Sequence, residues 1–460
     1  MTPLAYITLF TLPLVVLVLF AMFPARRAVI YSFLWGWFFL PFAQIPVHGL
    51  SEYSKLSMTP LCVLAAACLF DTRRVLALRP KWFDIPWLIC ITCPFFSSLH
   101  NHLGSYDGAN ATLNQFYLWG GGYVVGRIYF TDLDGMRELA FGFIAGGLIY
   151  VPFCMYEIKM SPQLHLKLYG FTQHAFAQTR RFGGFRPIVF MQHGIALGVW
   201  MIATALTAWW MWLCGAFRQR WLLPGIVWVL VLMVTVVLCR ALEAAVLMLV
   251  GVAALTVVKY LPTIFRLTAV LVLALTPPVY AYVRAEGIWS GETMVQMASK
   301  ISVDRAESLE FRLKNEELLL ARARQNPVWG WAGWNRYQAT DEFGRVISVP
   351  DQQWLIAFGK NGLVGLMSFQ AMLLLPLLVL MLRIPLRHWS QPAAAPAAVL
   401  AVIVALHLWD CLLNAMVNPM FMIACGGITG MIPVTITRRV RARAKAPIIA
   451  AGPARPMLAQ

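Results

Sequence analysis

Apolar runs long enough to cross a lipid bilayer recur along most of this chain. A helix needs about 20 consecutive apolar residues to span the hydrocarbon core. Runs of this kind lie near 3–23, 28–46, 57–70, 84–98, 113–130, 138–155, 188–213, 221–238, 243–258, 266–282, 353–382, 394–414 and 419–437. Because several runs are short or interrupted, we expect about 12 to 14 transmembrane helices.

The composition is that of an integral membrane protein. The 460 residues are 60% hydrophobic and only 12% charged, which is far outside the range of soluble domains. All nine cysteines lie in or beside apolar runs, where a thiol packs as a small hydrophobic group. We therefore predict an all-α polytopic membrane protein with neither disulfides nor a metal site.

Most basic residues follow the pattern of cytoplasmic loops. The formal net charge of +17 would suit a nucleic-acid partner, but the cations lie mainly between apolar runs, as the positive-inside rule describes. These basic segments contain Arg26–Arg27, Arg73–Lys81, Arg218–Arg220, Arg383–Arg387 and the tail "RRVRARAK". We therefore predict no nucleic-acid partner, an outer amino terminus and an inner carboxyl terminus.

This orientation divides the chain into six segments. No basic residue precedes the first apolar run and two arginines follow it, so we expect the first helix to stay as an anchor. The predicted segments are N-terminal transmembrane helices at 1–155, a first outer loop at 156–187, central transmembrane helices at 188–282, a large outer loop at 283–351, C-terminal transmembrane helices at 352–437 and a basic cytoplasmic tail at 438–460.

The first outer loop carries the wrong charge for an outer loop. Its cations are Lys159, Lys167, Arg180, Arg181 and Arg186, against Glu157 alone. The stretch Phe182-Gly183-Gly184-Phe185 offers flexible backbone that can approach a ligand closely. A helix predicted to begin near Pro187 would add the positive end of its dipole to Arg186. The loop therefore predicts an anion site, with arginines that extend to lipid headgroups as the alternative.

A second exception is Arg240 with Glu243, which interrupt the apolar stretch "VVLCRALEAAVLML" at the expected outer end of two helices. Charges at membrane depth cost about 2.5–3.5 kcal/mol each on insertion scales and mark functional sites. An ion pair satisfied by itself across three residues is the alternative.

Two histidines also lie in apolar sequence. His193 is expected about two turns into its helix from Arg186, where it could face the same cavity. A histidine that hydrogen-bonds between helices is the alternative, and it is our interpretation of His407 with Asp410.

The large outer loop contains the pattern of a surface helix. Leu309, Leu313 and Leu320 form an apolar stripe. Arg305 and Arg312 are seven residues apart and share a face, with Glu316 one turn beyond Arg312. These charges are candidates for a binding face, and a solvated salt-bridge face is the alternative.

The same loop ends in aromatic and acidic residues. The stretch "NPVWGWAGWNRY" places Trp331 and Trp334 where they could stack on sugar rings or anchor in the membrane interface. Asp351 is the last carboxylate before the chain re-enters the membrane. It is our candidate for a general base, and a helix cap is the alternative.

The order of these features resembles the O-antigen ligase and Wzy-type polysaccharide polymerase superfamily. A "GGFRP" loop comes first, followed by a membrane arginine after a small residue and an arginine helix that ends in Asn-Pro-x-x-Gly. A polar residue followed by Leu and "GxxGL" comes last. The resemblance covers roughly residues 180–370.

This resemblance implies a fold like that of GT-C glycosyltransferases in the bacterial inner (cytoplasmic) membrane, with the active site facing the periplasm. Family members transfer a glycan from an undecaprenyl-pyrophosphate-linked oligosaccharide to an acceptor hydroxyl, without a metal, nucleotide sugar or other cofactor. The implied partners are that donor, the glycan acceptor, the lipid bilayer and polysaccharide-assembly or export proteins.

Carried over position by position, Arg186, Arg240 and Arg312 would face the pyrophosphate. Asp351, our candidate for the base, completes the predicted catalytic set. The predicted substrate-binding residues are Arg181, Gly184, His193, Glu243, Arg305, Glu316, Trp331 and Trp334. Glu243, Glu316 and Glu310 are the other candidates for the base.

One departure from the family pattern narrows the prediction. Ligases usually carry His-Asn or His-Ser where this chain has Asp351-Gln352. The difference favours a polymerase of exopolysaccharide or O-antigen repeat units over a ligase to lipid A-core, which stays the first alternative. A flippase of lipid-linked oligosaccharides is the second alternative, but transporters of that kind tend to show repeated halves, and no repeat is evident in this sequence.

Overall fold

The computed structural model describes residues 1–47, 50–181, 183–217, 224–300 and 303–431, and the chain is mostly helical. The helices are α1 (Pro3–Phe10), α2 (Leu12–Met22), α3 (Ala25–Phe39), α4 (Lys55–Phe70), α5 (Thr72–Leu76), α6 (Ile85–His100), α7 (Ser105–Gln115), α8 (Gly121–Tyr129), α9 (Leu133–Met160), α10 (Leu164–Tyr169), α11 (Gly194–Leu213), α12 (Gly225–Leu238), α13 (Leu242–Tyr260), α14 (Thr263–Ala285), α15 (Glu292–Ser299), α16 (Val303–Ala323), α17 (Gln353–Arg383), α18 (Ala395–Asp410) and α19 (Pro419–Thr429). The predicted basic tail at 438–460 lies outside the described residues.

Four short strands form two antiparallel hairpins, one before α4 and one after α10. The strands are β1 (Gln44–Val47), β2 (Leu50–Ser54), β3 (Arg180–Arg181) and β4 (Gly184–Phe185). Single 3₁₀ or π turns cover Trp82–Asp84, Phe116–Gly120, Phe176–Thr179 and Leu386–His388.

In the described part of the chain, six helices are long and apolar enough to cross a membrane. They are α6 with its preceding turn, α9, α11, α13, α14 and α17. The pair α1 and α2 is a seventh if these two helices, bent by 43°, form one span; α4, α12, α18 and α19 are shorter apolar helices. The prediction of a helical membrane protein is thereby confirmed, whereas the number of 12 to 14 crossings stays a prediction.

The core lies around α11, α18 and α19, which are buried along nearly their whole length. Glycines let the backbones of α8 and α19 touch. A β-carbon at Gly126 would collide with the carbonyl oxygen of Ile423, and one at Gly426 would collide with that of Tyr123. Small residues at helix crossings are how membrane helices gain packing contacts without a hydrophobic driving force between them.

Polar contacts lie at both ends of α9. At its first turn, Arg26 pairs with Asp132. Arg26 belongs to one of the basic segments that we predict to be cytoplasmic. Toward its other end, Glu157 binds the backbone of the segment that leads into α11. At about 1.5 Å per residue, the 28 residues of α9 extend roughly 42 Å, the thickness of a bilayer with its headgroups.

The amino terminus lies at the Glu157 end. The Thr2 amide donates to the carbonyl oxygen of Tyr169 at 2.9 Å, and the Thr2 hydroxyl donates to that of Leu168 at 2.8 Å. The amino terminus therefore contacts the loop 156–187, as expected if both lie on one side of a membrane.

The helix predicted in the large outer loop is present as α16, whereas its place on the membrane surface stays a prediction. The aromatic stretch after α16 docks into a break of α17. Gly362 interrupts α17 with a φ of 64°. The Leu363 amide donates to the carbonyl oxygen of Pro327 at 2.7 Å, and the Trp331 amide donates to that of Gly359 at 2.8 Å. Backbone groups released by the break are thus satisfied by the "NPVWGW" loop, as buried membrane backbone requires.

Candidate functional site

Four arginines from three separate segments lie together at the Glu157 end of the molecule: three act electrostatically on His193, and the fourth, Arg240, binds the backbone of Arg181. Arg181 and Arg186 come from the loop after α10, Arg240 from the turn before α13, and Arg312 from α16. The positive charges of Arg186, Arg181 and Arg312 all act on the His193 ring. We call Arg181, Arg186, Arg240 and Arg312 the arginine cluster.

Glu157 places the segment that carries Arg186. Its carboxylate is almost fully buried and accepts hydrogen bonds from the amides of Leu164 at 3.0 Å, Ile188 at 2.8 Å and Val189 at 2.8 Å. Val189 has a φ of 56°, a conformation that is costly for a β-branched residue and persists only where the surroundings enforce it. The carboxylate of Glu157 therefore shapes this turn and is not a free counter-ion for the loop cations.

The predicted helix start at Pro187 is wrong. The chain turns at Val189 because Glu157 binds the two amides there, and α11 begins only at Gly194. Its amino-terminal end nevertheless lies beside Arg186, because a β-carbon at Gly194 would collide with Cδ of that side chain. The positive end of the helix dipole and the guanidinium are therefore neighbours, as the sequence suggested, although the helix starts later.

His193 is the cap of α11 and does not lie two turns into it. Its Nδ1 accepts a hydrogen bond from the Ile195 amide at 3.1 Å, which leaves the proton of the neutral ring on Nε2. Burial, followed by the electrostatic influence of His174 and the positive charges of Arg186, Arg181 and Arg312, lowers the pKa of His193 to about 3. The ring is therefore neutral at physiological pH and can donate one hydrogen bond through Nε2.

Arg240 lies against the glycine turn of the β3–β4 hairpin. Its Nη1 donates to the carbonyl oxygen of Arg181 at 3.0 Å, and a β-carbon at Gly184 would collide with the guanidinium. Arg240 itself has a φ of 51°, which is unfavourable for a bulky L-residue. Gly184, the second glycine of "GGFRP", is thus needed for the close approach of Arg240.

Glu243 forms an ion pair with Arg312 of α16, so Arg240 and Glu243 are not a pair that is satisfied by itself across three residues. Arg312 Nη1 donates to Glu243 Oε1 at 2.8 Å, and the two side chains are 29% and 27% exposed. The Asn414 amide donates to the other oxygen, Oε2, at 3.2 Å. This pair fixes Arg312 while its side chain stays partly exposed.

Asp351 lies near this pair and is not a helix cap. The residue in the capping position of α17 is Gln352, and its side chain makes no capping hydrogen bond. Loss of water contact raises the pKa of the Asp351 carboxyl. The charge of Arg312 and the electrostatic influence of His174 lower this pKa, and the charge of Glu243 raises it. Asp351 therefore interacts electrostatically with Arg312, Glu243 and His174.

Several predicted site residues lie elsewhere. Glu316 does not face the arginine cluster, because it forms a buried ion pair with Arg284 and accepts from the Tyr280 hydroxyl. Trp331 stacks on Arg322, with 3.5 Å from the guanidinium carbon to the ring centre. Trp334 is 81% exposed beside Lys360 in α17. The side chain of Arg305 lies outside the described residues.

Two residues of the site were missed from the sequence. His174 lies in the first outer loop and packs edge-on against His193, with 4.4 Å between the ring centres. Asn414 follows α18 and binds Glu243. Neither residue stands in a motif or breaks a charge pattern, so only the fold brings them to the arginine cluster.

No family model matches the chain, and no curated protein matches it. Among the residues that the structure describes, no group of three or more His, Cys, Asp or Glu side chains could hold a metal ion. The candidate site comprises the arginine cluster, the carboxylates of Glu243 and Asp351, and the histidines His174 and His193.

Proposed function

We propose that this protein is a membrane glycosyltransferase that moves a glycan from an undecaprenyl-pyrophosphate-linked donor to an acceptor hydroxyl and polymerises exopolysaccharide or O-antigen repeat units. The observation that carries the proposal is that Arg181, Arg186 and Arg312 act together on His193, that Arg240 binds the backbone of Arg181, and that Glu243 and Asp351 lie close to Arg312. Four arginines against two carboxylates favour a dianionic or more highly charged ligand.

Arginine suits a pyrophosphate leaving group. Its planar guanidinium can bind two phosphate oxygens at once, and its charge does not titrate away near neutral pH. When the bond between the anomeric carbon and the pyrophosphate oxygen breaks, negative charge grows on that oxygen. Fixed cations around it stabilise the transition state more than the ground state, which is the requirement for catalysis.

The acceptor side of the reaction is assigned to Asp351. The acceptor oxygen forms the new bond to the anomeric carbon as the pyrophosphate oxygen leaves with the bonding electrons, and the hydroxyl proton passes to the Asp351 carboxylate. Direct displacement of this kind inverts the anomeric centre. The neutral His193 ring, through Nε2, supplies a hydrogen-bond donor without adding charge.

The proposed enzyme crosses the bacterial inner membrane about 12 to 14 times in a GT-C-like arrangement, and its arginine cluster faces the periplasm. The basic loops at the opposite end of α9 support this orientation through the positive-inside rule.

Labelling of single cysteines tests the orientation. In a protein whose exposed Cys68 is replaced by serine, we expect Ala177→Cys and Ser299→Cys to react with a membrane-impermeant maleimide added outside. We expect Ala77→Cys, in the basic end, to react only after permeabilisation. Protection of either outer position in intact cells would contradict a periplasmic site and with it the proposed reaction.

Glycan transfer by the purified protein tests the activity. Wild-type protein in vesicles, supplied with a lipid-linked repeat unit, should form longer lipid-linked glycans and release undecaprenyl pyrophosphate. A strain lacking the protein should accumulate single lipid-linked repeat units. Elongation that requires added lipid A-core would indicate a ligase, and movement of the donor between leaflets without a new glycosidic bond would indicate a flippase.

A further inference from the structure

A chain of hydrogen bonds connects Asp410, the last residue of α18, to the Glu243–Arg312 pair. The Asn414 Nδ2 group donates to Asp410 Oδ1 at 2.7 Å and to Glu243 Oε2 at 3.2 Å. Glu243 Oε1 in turn accepts from Arg312 Nη1 at 2.8 Å. One amide group therefore uses its two hydrogens to join two carboxyl groups, one buried and one partly exposed.

Asn414 also binds the start of α17. Its backbone carbonyl oxygen accepts a hydrogen bond from the backbone amide of Gln353 at 3.2 Å. Gln353 lies two residues after Asp351. Asn414 is itself buried. A displacement of Asn414 would therefore move Glu243, and with it Arg312, relative to the segment that carries Asp351.

The surroundings of Asp410 fit a neutral carboxyl group. Asp410 is buried, and its Oδ2 has no hydrogen-bond partner among the described residues. His407 lies one turn before Asp410, with 4.0 Å between its Nδ1 and Asp410 Oδ2, too far for a charge-assisted hydrogen bond. Neither ring nitrogen of His407 has a described hydrogen-bond partner. A carboxylate here would be a buried charge without a cation, facing Glu243 across one amide, which is strongly unfavourable.

We propose that Asn414 and Asp410 are positioning residues of the arginine cluster: neutral Asp410 orients the Asn414 amide, which fixes Glu243 and through it Arg312. This assignment rests on the proposed function in that the ligand of Arg312 is taken to be a pyrophosphate. The role of Asp410 is to accept a hydrogen bond and not to supply a charge. Loss of the Asn414 amide frees Glu243 on one side and lets the ion pair shift, and small shifts of catalytic groups cost large factors in rate.

A double-mutant cycle tests whether Asn414 acts through Glu243. We expect Asn414→Ala to lower turnover about 10- to 100-fold. Combined with Glu243→Ala, it should add no more than about a further twofold, because both changes remove one interaction. The matched control is Asn418→Ala, which removes a buried amide that caps α19 through the Met420 amide. Its effect on turnover should multiply with that of Glu243→Ala. If the fold loss of the double variant Asn414→Ala with Glu243→Ala equals the product of the two single losses, the positioning role is overturned.

Conservative replacement tests the neutral state of Asp410. Asp410→Asn keeps an oxygen that can accept from Asn414 and removes the carboxyl proton, whereas Asp410→Leu removes the acceptor. We expect Asp410→Asn to retain at least about tenfold more turnover than Asp410→Leu, the worth of one buried hydrogen bond. Equal losses in the two variants would overturn the neutral-acceptor role.

Binding of undecaprenyl pyrophosphate itself separates this inference from the proposed function. Wild-type protein that binds this lipid but transfers no glycan would overturn the glycosyltransferase proposal. The double-mutant cycle is then scored on affinity for the lipid, where additive losses for Asn414→Ala and Glu243→Ala would overturn the inference and non-additive losses would support it. Wild-type protein that does not bind the lipid would overturn both.

Discussion

Alanine in place of Arg186, Arg240 or Arg312 is expected to abolish glycan transfer while the protein still reaches the membrane. Each guanidinium contributes fixed positive charge where the pyrophosphate would gain negative charge. Removing one preorganised electrostatic group of this kind usually lowers turnover about 10²- to 10³-fold. The measurement is the initial rate of glycan elongation by purified variants in vesicles, normalised to the amount of folded protein.

Lysine should restore little of this loss. An ammonium group keeps the charge but cannot bind two phosphate oxygens with one planar group. Lysine at position 240 would also lose the guanidinium that packs against Gly184 and donates to Arg181. Near-normal turnover in any lysine variant would show that charge alone is sufficient at that position.

Arg345→Ala is the matched control for the arginine variants. Arg345 also lies in the large outer loop, but its side chain is exposed and pairs with Asp341. An exposed ion pair of this kind contributes little to stability. Its loss should leave transfer unchanged, so a decrease as large as that of Arg312→Ala would indicate a general effect of outer-loop charge instead of a specific site.

The sequence was informative where charge conflicted with its surroundings. Arg186, Arg240 and Arg312 stand out because arginines in an outer loop or between apolar runs are costly or unexpected. The amphipathic spacing around Leu313 likewise predicted α16, because a helix of this type needs one apolar face. Local patterns of this kind can be read without knowing which segments meet.

The errors arose where distant residues determine local structure. The helix expected at Pro187 begins at Gly194, because Glu157 in α9 binds the amides of Ile188 and Val189. Glu316 shares a periodicity with Arg312, but Arg284 of α14 takes its carboxylate into a buried ion pair. In both cases the decisive partner lies more than 25 residues away in sequence, and no local spacing reveals it.

Polar residues without a pattern were missed for a related reason. His174 lies in a polar loop, where histidine is unremarkable in sequence. Asn414 follows an apolar helix, where a polar residue usually only ends the helix. Their importance comes from contacts with His193 and Glu243, which a single sequence does not encode locally.

Asparagine in place of Asp351 is expected to lower turnover about 10²- to 10⁴-fold, the usual contribution of general acid–base catalysis. Affinity for the donor should stay near that of the wild type, because the arginine cluster is unchanged. Asp341→Asn is the matched control, since Asp341 is another aspartate of the same loop that pairs with Arg345. The two measurements are elongation rate and binding of undecaprenyl pyrophosphate by the same preparations.

The pH dependence of turnover distinguishes a base from a structural carboxyl at position 351. The pKa of Asp351 is raised by loss of water contact, and a base acts only when deprotonated, so wild-type turnover should fall as pH decreases through this raised pKa. Asp351→Asn should lose that acidic limb, and Asp351→His should recover part of the rate with the limb moved toward the pKa of imidazole, about 6.5. Full turnover with an unchanged acidic limb in Asp351→Asn would exclude Asp351 as the base. Glu243 would then be the remaining carboxylate beside the described arginine cluster, because Glu316 is held by Arg284.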